Sequence, residues 1–310
     1  MPEPAEEVLV EVDGRTLRLS NLAKVLYPVT GTTKGEVLNY YARIADVLLP
    51  HLAGRAVTRI RWPHGTSDHQ FFEKNVPNGV PSWVRTVTVA SSGSRGGGDR
   101  IVFPVLGSLA DLTYFANLAS LELHVHQWTA DVDGEPRNPD RMVIDLDPGS
   151  PAGLAECCRV ALLVREELAR CGLSAAPVTS GSKGLHLYAA LPGDLDADQV
   201  RDEAQRIARD LTREHPDLVL WKMTKSLRGG KVFLDWSQNT GAKTTISPYS
   251  LRGRERPYVA APRTWAEIEE GAEEGLGQLE MDDVLARVED LGDVFGDCLH
   301  AGAGDEPDLT

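Results

Sequence analysis

The run Arg141-Met142-Val143-Ile144-Asp145-Leu146-Asp147, closed by Pro148-Gly149, reads as a short β-strand that carries acids into an apolar setting. Side chains alternate along a strand with a period of two, so Asp145 and Asp147 leave the same face. The residues around them, Met142, Val143, Ile144 and Leu146, are apolar, which puts both carboxylates at the rim of a buried sheet. Two like charges so close repel, and a bound divalent cation is the common remedy. Hard oxygen ligands favour magnesium or manganese over zinc. Ordinary strand ends and surface loops also carry such acid pairs, so this one alone leaves both readings open.

Outward from this strand, helical and strand patterns mix. Residues 154–171 have amphipathic helical spacing with Gly172 as the stop, and residues 197–215 form a second long helix closed by Pro216. Pro177-Val178-Thr179 and residues 185–189 read as strands joined by the tight polar turn Ser180-Gly181-Ser182-Lys183-Gly184, and residues 231–236 as another strand. Upstream, residues 20–28 predict a capped short helix ended by Pro28, and Thr33 caps a helix with Val37, Leu38, Tyr41, Ile44 and Leu48 on one face. Residues 106–121 predict a helix or helix pair leading into a strand over 121–128. The glycine-serine stretch 91–99 is the most flexible loop expected, residues 265–291 should be helical, and the last ten residues frayed. Hairpin-like joins among mixed elements indicate an α+β fold.

The net charge of -14 argues against a polyanionic partner only if it is evenly spread. It is not. Residues 264–310 hold 15 acidic residues and a single basic one, Arg287, which leaves residues 1–263 neutral. Within the neutral part, residues 221–263 carry nine basic against two acidic residues, and residues 15–74 carry nine against four. Local sign governs docking of a polyanion, so nucleic acid remains open, as does an ordinary solvated surface. Four cysteines without a CxxC spacing indicate neither a zinc cage nor a disulfide framework, and read as buried small apolar residues. No apolar run approaches the ~20 residues of a membrane-spanning helix. The acidic start MPEPAEE lacks an apolar signal core, so a cytoplasmic protein without membrane contact is expected.

Asp235 follows Val232-Phe233-Leu234, again a charge at the end of an apolar strand, where it either pairs with a nearby arginine or joins the first two acids. Three acids from neighbouring strands would make a two-metal clamp for in-line phosphoryl transfer. The turn 180–184 offers glycines that let backbone amides converge on an anion, with Ser180, Lys183 and His186 as phosphate-compatible donors. It lacks the GxxxxGK[ST] pattern, and a strand rather than a helix follows it. Lys243 and Arg252 sit on loops suited to holding phosphates. Phe71 and Phe72 lie between Arg59, Arg61 and Lys74, a pattern that suits base stacking or plain core packing.

Seven motifs in order, NLAKVLYPVTGTTK, FFEK, LELHVHQW, VIDLDPG, VTSGSKGLHLY, MTKSLRGGKVFLDWSQNTGAKTT and PYSLRGR, resemble the polymerase domain of bacterial ligase D, within the archaeo-eukaryotic primase superfamily. The resemblance implies a primase-like core of mixed and antiparallel sheets flanked by helices, in two lobes around a central cleft. It implies an N-terminal arm over 1–18, a catalytic domain over 19–265 and an acidic helical extension over 266–310. Asp145, Asp147 and Asp235 would be the catalytic ligands of two Mn2+ or Mg2+ ions. Ser180, Lys183, His186, His124, Arg228, Gln238, Lys243 and Arg252 would bind the nucleotide, an NTP or dNTP. Asn21, Lys24 and Lys34 would recognise a DNA 5′-phosphate, and Arg61, Phe71 and Phe72 would meet the template. The implied activity is primer or end extension, preferring ribonucleotides, in non-homologous end joining, with Ku and a DNA ligase as partners. Short-gap filling and a non-catalytic end-bridging role are the rivals, and a DxD glycosyltransferase fits neither the lysines nor the phenylalanines. No KxDG ligase motif occurs, so a stand-alone polymerase, or an excised polymerase domain, is expected rather than a complete repair ligase.

Overall fold

The computed structural model describes residues 7–90 and 100–296. The expected 91–99 loop and the frayed last ten residues lie outside them, as does Cys298. The chain divides into two compact units, each with its own apolar core: residues 1–136, 244–261 and 278–292 in one, and 137–243, 262–277 and 293–310 in the other.

In the first unit an antiparallel sheet runs in the order Thr245–Ile246, Ser120–Val125, Val57–Arg61, Phe71–Glu73. Helices Lys34–Arg43, Ala45–Leu52, Leu109–Asn117 and Met281–Leu291 supply apolar faces to its core. Thr33 caps the first of these as its sequence predicts: its hydroxyl accepts from the Glu36 amide, while the Glu36 carboxylate accepts from the Thr33 amide at 2.7 Å. Three buried tyrosines keep their hydroxyls satisfied by donating to backbone carbonyls: Tyr27 to Arg252, Tyr40 to Tyr249 and Tyr41 to Leu121. The expected short helix over 20–28 does not form. Val25–Tyr27 is a strand paired with Thr32–Thr33, because Leu26 and Tyr27 are fully buried and the return chain offers a backbone partner. Tertiary pairing overrides the local helical signal there.

In the second unit the strands run Val219–Leu220, Val232–Asp235, Arg141–Pro148, Leu185–Ala190, Ala175–Thr179, antiparallel except for the first pair. Met142, Ile144 and Leu146 face a core shared with Leu185, Leu187, Val232 and Leu234, and helices Leu154–Arg170, Ala197–Glu214 and Trp265–Glu274 cover it. Cys157 and Cys158 are buried there as expected, but Cys171 is exposed, since it follows the last helical turn at the Gly172 stop. The acidic stretch expected to be helical forms two helices, Trp265–Glu274 and Met281–Leu291. Ile268 and Ala272 enter the second core, and Met281, Val284 and Leu285 the first. Among the described residues no helix is long and apolar enough to cross a membrane.

Candidate functional site

The register of the second sheet sets three site residues in a row. Asp145 on the central strand lies directly opposite His186 on one neighbour and Asp235 on the other. All three side chains leave the face away from the core, the consequence of apolar residues at 144, 146, 185, 187 and 234 turning inward. His186 Nε2 is 3.4 Å from Asp145 Oδ1. The Gln238 amide reaches Asp235 Oδ2 at 3.2 Å and Asp145 Oδ2 at 3.4 Å.

Asp147 follows on the same face and is held by two cations, Lys183 Nζ at 2.8 Å and Arg228 Nη1 at 2.7 Å. The Arg228 guanidinium also lies 3.9 Å over the ring of Phe233, the residue opposite Asp147. Lys243 donates to the Ser237 hydroxyl, which donates to Asp235 Oδ1, and the Ser237 amide bonds the same oxygen at 3.0 Å. Among the described residues no three Asp, Glu, His or Cys side chains stand together as a ready metal-ligating group: Asp145 faces Asp235, while Asp147 is engaged by its two cations. The donor chemistry nonetheless fits hard divalent ions, with carboxylate oxygens from Asp145, Asp147 and Asp235 on one open face.

The turn 180–184 is built against the acid strand. A Cβ at Gly184 would stand 2.2 Å from the Leu146 carbonyl oxygen, so no larger residue fits while the turn keeps this position. Ser180 is buried, and its hydroxyl accepts from the Ser182 and Gly184 amides at 3.3 and 3.2 Å. Two amides expected to face an anion are thus turned onto Ser180, while the Lys183 ammonium is exposed.

In the first unit, His124 and Arg252 meet on one buried carboxylate. Glu122 accepts from His124 Nε2 at 2.7 Å and from the Gly253 amide at 2.9 Å, with Arg252 Nε at 3.5 Å. Burial works to raise the Glu122 carboxyl, but these partners outweigh it and hold it down at about 2. Asn21, Lys24 and Lys34 line one pocket of about 250 Å³ together with Arg61, His64 and Asn117. Lys34 is buried and donates to the Ser20 carbonyl at 2.5 Å; burial, then the charge of Lys24, lowers it to about 8. Phe71 and Phe72 sit on the outermost strand of the sheet, 44% and 57% exposed, so core packing does not account for them. Successive strand residues face opposite ways, and the two rings therefore serve opposite faces of that strand.

Sequence reasoning missed Glu122, His64 and Asn239. The Asn239 side chain bonds both the amide and the carbonyl of Val143 at 2.8 Å, continuing the sheet pairing where the Val232–Asp235 strand has ended. Its position after Asp235-Trp236-Ser237-Gln238 held the only signal, a carboxamide in a turn beside a strand end.

A family model described as LigD, primase-polymerase domain, matches residues 33–295. The chain is 47% identical over 280 residues to the multifunctional non-homologous end joining protein LigD of Mycolicibacterium smegmatis, covering 90% of this chain and 35% of that protein. It is 33% identical to the bifunctional LigD of Bacillus subtilis, covering 94% of this chain and 45% of that one. It spans less than half the length of either relative. The solved polymerase domain from Mycobacterium tuberculosis ligase D in complex with DNA superposes with a TM-score of 0.86 at 47% identity, over 91% of this chain and 98% of that one.

Proposed function

The chain belongs to the LigD primase-polymerase family, and on that premise we propose that it is a metal-dependent nucleotidyltransferase that extends primers or broken DNA ends in double-strand break repair by non-homologous end joining, preferring ribonucleotides. The observation that carries this reading is the row His186–Asp145–Asp235 across adjacent strands. Asp145 and Asp235, in register at the edge of an apolar core, serve a binding-only module poorly, because their mutual repulsion opposes folding unless a donor or a cation lies between them.

Asp145, Asp147 and Asp235 would hold two Mn2+ or Mg2+ ions. Such ions, when bound, supply charge neutralisation on a triphosphate and a more acidic primer 3′-hydroxyl. The protein groups do the positioning. Ser237 fixes one oxygen of Asp235 and leaves the other toward Asp145. Lys183, Arg228 and Lys243, now spent on carboxylates, are donors of the right sign for the nucleotide's phosphates. Within the first unit, Glu122 orients His124 and Arg252.

The pocket of Asn21, Lys24, Lys34, Arg61 and His64 is the proposed seat of a DNA 5′-phosphate, and Phe71 and Phe72 are the proposed stacking surface for template bases. DNA is the proposed partner, with Ku and a ligase at the same break. The test is extension of a primer facing a 5′-phosphorylated gap or overhang, with Mn2+ or Mg2+ and either NTPs or dNTPs. Metal-dependent addition that is lost in Asp145→Asn supports the reading; addition by that variant at the wild-type rate overturns it. Faster turnover on synapsed overhangs than on short gaps favours end joining over gap repair.

A further inference from the structure

Glu73 closes the strand that carries Phe71 and Phe72, and its carboxylate serves two arginines of the neighbouring strand. One oxygen accepts from Arg61 Nη1 at 2.6 Å, and the other lies 3.5 Å from Arg59 Nη2. The register accounts for this sharing: Glu73 lies opposite Arg59 and Phe71 opposite Arg61, so all four side chains leave one face of the sheet. The two arginines differ in surroundings. Arg61 lines the pocket of Lys24 and Lys34, tied there by Nε to the Leu118 carbonyl at 2.7 Å. Arg59 is fully buried, its guanidinium 4.7 Å from the centre of the Phe115 ring, and its Nε and Nη1 find no hydrogen-bond partner among the described residues. Its Nη2 donates to the Asn75 carbonyl, just past the strand. Burial lowers the Arg59 guanidinium to about 10, with the Glu73 charge acting against that loss.

Glu73 therefore joins three things on one carboxylate: a wall of the anion pocket, a buried cation and the strand that presents the exposed rings. An anion seated beside Arg61 offers that guanidinium a second, doubly charged partner. Any share of Arg61 that the anion takes leaves Glu73 to Arg59, deeper in the unit, and the end of the Phe71–Glu73 strand is held differently as a result. We infer that Glu73 is a positioning residue that couples occupancy of the anion pocket to the presentation of Phe71 and Phe72. The coupling rests on the proposed reading of the pocket as a 5′-phosphate site and of the rings as a stacking surface. It needs no contact beyond the first unit, and it gives the FFEK motif a reason for its acid.

The test uses the full chain and a gapped duplex with 2-aminopurine in the template opposite the gap, its downstream strand ending in a 5′-phosphate or a 5′-hydroxyl. Two quantities are read, the affinity ratio between the two ends and the phosphate-dependent change in 2-aminopurine fluorescence. For Glu73→Gln the affinity ratio is expected to stay at or above the wild-type value, because Arg61 loses its competing carboxylate. The phosphate-dependent fluorescence change is expected to fall by about threefold or more. Glu73→Asp, which keeps the charge with a shorter reach, should recover part of it. A fluorescence response in Glu73→Gln equal to that of the wild type overturns the coupling alone. A wild-type chain indifferent to the 5′-phosphate overturns the pocket's assignment and the coupling with it. If melting curves show that Glu73→Gln does not fold, Glu73→Asp decides: a reduced response supports the coupling and an unchanged one overturns it.

Discussion

Asp145 and Asp235 face each other across an antiparallel pair, and one carboxamide, that of Gln238, reaches an oxygen of each. Two carboxylates in register at the rim of a core raise each other's energy unless a donor or a cation lies between them. Gln238 partly fills that role. Asp145→Asn should therefore cost nucleotide addition about a hundredfold or more while leaving thermal stability level or slightly raised, since it removes the repulsion. Primer extension and a melting curve on the same preparation check both halves.

Lys34 gives the anion pocket a pH dependence with a definite sign. Its folded-state pKa, about 8, lies below that of a free lysine, so the charge is lost in the folded protein as pH rises through 8. Affinity for a 5′-phosphorylated end should fall over that step, and Lys34→Arg should flatten the profile, because a guanidinium stays protonated. The unfolded chain binds the extra proton between pH 8 and about 10.5, so this residue's burial opposes folding below 8 and the penalty disappears as pH climbs through that window. Titrating duplex affinity at fixed ionic strength reads the first effect, and urea unfolding against pH reads the second.

Glu122 behaves in the opposite sense. Its carboxyl sits at about 2 in the folded protein, below its unfolded value, so it contributes stability above about pH 4.5 that is lost as pH falls toward 2. Glu122→Gln leaves His124 and Arg252 without their carboxylate and should destabilise the protein by about 3 kcal/mol at neutral pH. Denaturant melts of the variant and wild type at pH 7 and pH 3 should differ most at pH 7.

Gly184 tests whether the 180–184 turn must hug the acid strand. A methyl group there meets the Leu146 carbonyl, so Gly184→Ala must push the turn outward, at a cost of about 1–3 kcal/mol. The expected kinetic signature is a higher KM for the nucleotide with a smaller change in kcat, measured by steady-state extension.

The residues whose placement depends on local pattern were legible in the sequence. Strand alternation alone put Asp145 and Asp147 on one face, and Thr33 was readable as the cap of the helix that follows it. The contribution of long-range pairing was not legible. Residues 20–28 carry a helical signal and form a strand instead, because their partner at Thr32–Thr33 and the burial of Leu26 and Tyr27 outweigh propensity. Glu122 is two residues from His124 in a strand of apolar neighbours, and nothing local distinguishes it from a solvent-facing acid. Its burial follows from Arg252 and Gly253, 130 and 131 positions on. Asp147 gives the same lesson. Its spacing from Asp145 marked it as a partner of that acid, while Lys183 and Arg228 come to it from distant turns.

The first core is assembled from three separate stretches of chain and the second from two. The first cannot be completed until Tyr249, Leu251, Met281 and Val284 have been made, and the second waits for Ile268 and Ala272. A ribosome delivering this protein thus releases neither half ready to close on its own. Both must hold unfinished apolar surface until those late segments have emerged, and a nascent chain stalled before residue 265 would be a client for chaperones rather than a smaller folded protein.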